Sequence, residues 1–224
     1  MRLKDHILYI LLFSVTIPLI AQDISLFQQF NGRYDYTAIG NTLNPGENNV
    51  SDFCEILETS GTTLFLDPSN VVVKAYLYWA GSGLGDNEVT LNATSIVAED
   101  TYHVFFDDPF FGQLGYFSCY ADITEQIINE GNGNYQFTNT AINASLINNP
   151  GYCQRATNFG GWSIYVIYEN SNLPLNQISL YQGLEIINSN IPELEIVLDG
   201  INVLDTEGAK IGFLAWEGDN ALNF

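Results

Sequence analysis

Positive charge is what this sequence has least of. Six Lys and Arg face 26 Asp and Glu in 224 residues, a formal charge of −20. A chain this acidic repels nucleic acid and anionic lipid heads, so neither is an expected partner. Long apolar runs are also missing, except at the start. Arg2 and Lys4 precede an apolar run from Ile7 to Ile17, and the small Ala21 offers a cleavage position before Gln22. This is the pattern of a cleaved export signal over residues 1–21. A membrane anchor is the rival reading, but a span needs about 20 predominantly apolar residues, and Ser14, Thr16 and Pro18 interrupt this stretch. No later segment is apolar enough to span a bilayer. The part from Gln22 onward keeps four basic residues (Arg33, Lys74, Arg155 and Lys210) against 25 acidic ones, a formal charge of −21. Histidine is nearly absent there too: His103 alone remains, so histidine-based catalysis or metal binding would have to pass through it.

Aromatic side chains are what the sequence does have: 13 Tyr, 14 Phe and 3 Trp. They argue against disorder, because such a chain can bury a sizeable core. The chain is organised around Asn158 to Leu184. From Trp162 to Tyr168 the residues Trp162, Ile164, Val166 and Tyr168 alternate with Ser163, Tyr165 and Ile167. Period-two spacing of large side chains marks a strand, and apolar residues on both faces place it inside a sheet. Asn170 to Asn176 supplies turn chemistry, and Ile178 to Gln182 is expected to return as the second strand of a hairpin. Trp79, Trp162, Ile164, Val166 and either Tyr76 or Tyr78 are expected at the interface between two sheets.

The remaining segments follow the same pattern. A short strand is expected around Asp35 to Ile39, followed by Thr62 to Leu66 and Val71 to Ala80 on either side of the Asp67-Pro68 turn. Gly81 to Asp86, GSGLGD, has the look of a phosphate-cradling loop. That motif needs a helix behind it, and Glu88 to Leu91 reads as a strand, so the nucleotide reading is discarded. Asn92-Ala93 turns a hairpin into Ser95 to Ala98. Thr101 to Phe106 and Leu114 to Ala121 flank the Asp107-Asp108-Pro109 turn. One helix is predicted, in DITEQIINEGNG, with Asp122 and Glu125 as a capping box, Ile123, Ile127 and Ile128 as its stripe and Gly131 as its stop. Tyr135 to Thr138 is another strand, and Ala141 to Thr157 is a long loop holding Cys153. Glu193 to Leu198, Ile201 to Leu204 and Lys210 to Trp216 complete the list of expected strands. Many short strands and one brief helix indicate an all-β, jelly-roll-like sandwich with one short connecting helix.

Candidate chemistry is sparse. His103 sits mid-strand with no recognisable motif around it, which favours a structural role. Asp107-Asp108 and Glu217-Gly218-Asp219-Asn220 offer hard oxygen ligands for Ca²⁺, but neither has the spacing of a known calcium loop, and solvated turns are the preferred reading. No other cofactor is called for. Exposed tyrosines can stack on sugar rings, although the same residues are good strand formers. After an export signal three cysteines suit one disulfide and one thiol. Cys119 lies in a strand pattern, where a buried thiol is ordinary. Cys54 and Cys153 lie in turn-rich stretches, so Cys54–Cys153 is preferred over Cys119–Cys153. Asp107 to Gln113 and Asn139 to Thr157 are the segments best suited to act as variable contact loops.

The blocks VVVKAYLYWAGSGLGDNEVTLN, FSCYADITEQIINEGNGNYQF, CQRATNFGGWSIYVIYENSNLPLNQISLYQGL and AKIGFLAWEGD resemble an N-terminal β-rich domain of large exported surface proteins of Bacteroidetes. Such proteins often carry adhesin-like repeats and end in a gliding-motility-associated, type IX secretion sorting domain. The similarity runs from about Cys54 to the last residues. It implies a disulfide between Cys54 and Cys153, and it transfers no catalytic residues. It also implies that residues 22–224 form one sandwich domain at the N-terminal end of a longer chain, since no sorting domain precedes Phe224. The expectation is a secreted or cell-surface, non-enzymatic module with an adhesive or surface-structural role, taking an unidentified glycan or protein ligand. The alternative is a carbohydrate-binding module of a secreted hydrolase, marked by an aromatic row on an exposed sheet face. A hydrolase in its own right is the third class, marked by convergent carboxylates or a His103–Ser contact in a pocket.

Overall fold

In chain order the elements are β1 (Ser25–Gly32), β2 (Tyr34–Thr42), β3 (Thr59–Leu64), β4 (Val71–Ser82), β5 (Glu88–Leu91), β6 (Thr94–Val97), β7 (Asp100–Asp108), β8 (Gly112–Asp122), α1 (Thr124–Glu130), β9 (Gly133–Thr138), α2 (Ala141–Asn148), α3 (Gly151–Gln154), β10 (Gly160–Glu169) and β11 (Asn176–Gln182). They come from a computed structural model that describes residues 24–47, 54–138, 141–188, 191–202 and 208–217. The export signal expected over residues 1–21 lies outside the described residues. The strands form three antiparallel sheets, ordered β2-β10-β4-β8-β7, β3-β9-β5-β6 and β1-β11. The fold is an all-β sandwich.

The alternation in β10 explains the layering. Trp162, Ile164 and Val166 point inward with Ala75, Leu77 and Trp79 of β4. The Trp162 ring stacks on Phe137 of β9, with centroids 5.5 Å apart and planes 12° from parallel. This is the main core, between the five- and four-stranded sheets. The opposite face of the five-stranded sheet carries Tyr76, Tyr120 and Ile167, which pack with Phe30 of β1 into a second core under the β1–β11 ribbon. Tyr76 and Tyr78 therefore face away from the main inter-sheet core, contrary to the sequence expectation, because their parity along β4 is opposite to that of Trp79.

Other expectations change as well. β10 and β11 do not form a hairpin. Both edges of β10 are already taken, by β2 and β4, so the next strand crosses over and pairs with β1 from Ser25↔Gln182 to Gly32↔Asn176. Residues 141–157 are not a loop: α2 buries Ile142 and Leu146, spaced i and i+4, and the one-turn helix α3 follows. The described residues thus form three short helices where one was expected. The capping box on α1 does not close. The helix begins at Thr124, whose N–H donates to Asp122 Oδ1 (2.9 Å), and the Asp122 N–H donates to Glu99 Oε1 (3.0 Å), not to Glu125.

The described parts of 191–202 and 208–217 form no strand, and residues 203–204 lie outside the described residues. The second segment instead lies over the β2–β10 side of the outer face. Lys210 Nζ stands 4.2 Å from the Tyr36 ring centroid, and Trp216 reaches the place where a Gly161 side chain would begin. Its alternation seats side chains on an existing sheet face without main-chain pairing.

Candidate functional site

The two segments best suited to be contact loops meet at one end of the sandwich. The β7–β8 hairpin turns through Pro109, Phe110 and Phe111 beyond the Asp108↔Gly112 pair. Asp108 is 5% exposed and folds this tip inward, accepting from the N–H groups of Phe110 (2.8 Å) and Phe111 (3.0 Å). Arg155, just past α3, donates to the same carboxylate through Nε and through Nη2, the latter at 3.0 Å. This two-point contact holds the carboxyl well below its ordinary range, at about 2. The Arg155 guanidinium also lies 5.4 Å from the ring centroids of both Phe110 and Phe111. Tyr152 closes the joint: its hydroxyl donates to the Gly115 carbonyl (2.9 Å) and accepts from the Gly115 N–H (3.1 Å).

A disulfide ties the same end to the chain before β3. Cys54 and Cys153 are bridged with Cα atoms 5.3 Å apart, the preferred pairing, and Cys119 is a buried free thiol. Beside the bridge, Asn143 of α2 clamps Ile56, accepting from its N–H and donating to its carbonyl (2.8 Å each). The GSGLGD loop completes the end as a strand connection, as expected. Its Asp86 carbonyl accepts from Trp79 Nε1 (2.8 Å), and the Gly83 N–H donates to Gly115 (2.9 Å). Large apolar side chains stay outside: Leu84 is 71% exposed, Phe110 81% and Ile147 82%. Sequence reasoning missed Leu84, Ile147 and Arg155. Two adjacent phenylalanines in a hairpin turn, and an arginine in a chain with few cations, were the available signals.

The other candidates are accounted for by local contacts. His103 Nε2–H donates to the Leu84 carbonyl (2.9 Å), and its ring stacks on Phe105, so it anchors the loop after β4. Asp108 is committed to Arg155, and Asp107 accepts from Gln113 Nε2 (3.1 Å). Among the described residues no group of three or more His, Cys, Asp or Glu converges as a metal site. Of the second calcium candidate, residues 218–220 lie outside the described residues.

The aromatic row that would mark a sugar platform does exist. Tyr36, Tyr165, Tyr78, Tyr120 and Tyr102 cross the sheet strand by strand, with successive ring centroids 6.2, 5.8, 6.1 and 6.3 Å apart. It is roofed, not open. Phe27 packs edge-on against Tyr120, Gln182 Nε2 donates to the Tyr78 hydroxyl (2.6 Å), and Lys210 covers Tyr36. No helix of the described residues is long and apolar enough to cross a membrane. No protein family, curated protein or solved structure matches the chain.

Proposed function

We propose that this chain is a non-enzymatic module, exported and displayed at a cell surface like the Bacteroidetes surface proteins its sequence blocks resemble, and that it works by contact. The observation that carries this reading is the Asp108–Arg155 joint, which locks the hairpin tip to the α2–α3 segment while Leu84, Phe110 and Ile147 remain outside. Apolar side chains held out from a braced end lose little conformational freedom when a partner covers them, which favours recognition. The roofed tyrosine row weakens the alternative sugar-platform reading.

Beads coated with the purified protein, offered to bacterial cells under flow, test the proposal. Adhesion is expected to fall about tenfold in the Phe110→Ser, Ile147→Ser double variant and to persist in His103→Ala. A panel of chromogenic hydrolase substrates is expected to stay uncoloured, and turnover abolished by His103→Ala overturns the reading. Tight binding on a glycan array that is lost when the row tyrosines are replaced promotes the sugar-binding alternative instead.

A further inference from the structure

Among the described residues one sheet edge is long, regular and unpaired. β7 pairs with β8 through nine successive positions, from Asp100↔Tyr120 to Asp108↔Gly112, without a break in register. Among the described residues no strand pairs with its other side. The remaining edges are blunted in familiar ways. β6 has only 4 residues, and β1 carries a register break between Leu26 and Gln28. β11 is overlaid by the following chain, where Asn202 N–H donates to Gln177 Oε1 (2.9 Å) and the Tyr181 hydroxyl donates to the Asp199 carbonyl. At β2, Lys210 Nζ pairs with Asp35 (2.8 Å) and reaches the Tyr36 carbonyl (3.4 Å). β3 is held to β2 through Asn41 Nδ2 on the Gly61 carbonyl (2.9 Å).

Natural sheets guard their edges with lysine, proline, a bulge or shortness. The β7 sequence, DTYHVFFDD, has none of these. Its acidic groups are Asp100, Asp107 and Asp108, the last already paired with Arg155. Acidic ends on a chain of formal charge −20 repel a second copy of the same chain and attract a cationic one. Beside the edge, Leu84 and Phe105 converge over Gly115: a side chain placed there would meet them at 2.8 and 3.2 Å. They form an apolar seat of the sort that reads alternate side chains of an added strand.

We propose that β7 is a docking edge that takes an extended, cationic segment of a partner protein as a sixth strand of the larger sheet. The inference goes beyond the tip-centred contact reading and stands or falls separately from it. The test uses a synthetic peptide of about ten residues alternating lysine and valine, and a comparator of identical charge with proline in place of the central valine. Both are titrated into the isotope-labelled protein, with amide hydrogen exchange followed by residue. The alternating peptide is expected to protect amides between Asp100 and Asp108 and to bind about tenfold more tightly than the comparator. Phe105→Lys, checked for an unchanged amide spectrum, is expected to weaken it by a similar factor. Equal affinity for the two peptides, protection at another edge, or no binding by either overturns the proposal.

Discussion

Trp162 gathers several contacts in one side chain. It is 1% exposed, its indole stacks on Phe137, and its Nε1–H donates to Ser60 Oγ (2.8 Å), so one residue ties β10 to both strands of the β3–β9 pair. Trp162→Ala is expected to cost about 3–5 kcal/mol in denaturant unfolding; a midpoint within experimental scatter of the parent would refute this packing. Asp108 sets a second prediction, on pH. Its carboxyl titrates at about 2 in the fold because Arg155 donates to it, against about 3.9 in an unfolded chain. A depressed carboxylate contributes stability above the unfolded value and loses it as pH falls through the folded one. The gap in melting temperature between the parent and Asp108→Asn is therefore expected to be full above about pH 4 and to close toward about pH 2. A gap independent of pH over that range would show that Asp108 acts through its shape and not its charge. Neither partner was legible in the sequence: Asp108 looked like a solvated turn, and nothing linked it to an arginine 47 positions away.

The hairpin between β5 and β6 shows what local pattern can specify. Asn92 and Ala93 both take positive φ, 49° and 64°, as a two-residue hairpin turn requires. Asn92 also holds β9, accepting from the Gln136 N–H through Oδ1 (2.8 Å). Alanine is strained there and glycine is not, so Ala93→Gly is expected to raise stability by about 0.5–1 kcal/mol in thermal unfolding; a loss would show that unfolded-chain entropy outweighs the strain. The tyrosine row makes a prediction for alkali. Burial pushes Tyr102 up to about 12 and raises Tyr78, Tyr120 and Tyr165 as well. Groups raised in the fold keep their contribution below the unfolded value of about 10 and lose it as pH climbs through the folded values. Tyrosinate absorbance and loss of sheet circular dichroism are thus expected to rise together above about pH 10. Ionisation of the row tyrosines near pH 10 with the sheet signal intact would refute the roofed row. Strands β4, β5, β7, β8 and β10 were legible because alternation and turn residues are local signals. β1 was not: its glutamines mask the alternation, and its partner β11 lies about 150 residues on. α2 was hidden because Ile142 and Leu146 are its only buried residues among asparagines. The alternation of residues 193–198 and 210–216 records a preference for extended backbone, and preference alone supplies no partner edge.

At the scale of the whole molecule, the Cys54–Cys153 bridge closes a loop of 99 positions, enclosing everything from β3 to α3. A loop that long is worth about 4–5 kcal/mol on a chain-entropy estimate, and reduction is expected to lower the melting temperature accordingly; an unchanged melt would place the benefit elsewhere. The general site was legible as two loop segments, whereas their joining by Arg155, and the placing of Leu84 beside them, depend on which strands neighbour one another. That neighbour order carries one more consequence. Among the described residues β2 has its strand partner only in β10, and β10 also fills the place between β2 and β4. A polypeptide made and moved N-terminus first has thus delivered Tyr34–Thr42 and Val71–Ser82 long before the strand that unites them. Until Gly160–Glu169 is available, β2 has no place beside β4, and the five-stranded sheet cannot be completed. Because the keystone is laid after every strand it unites, the order of synthesis itself delays the finished sheet.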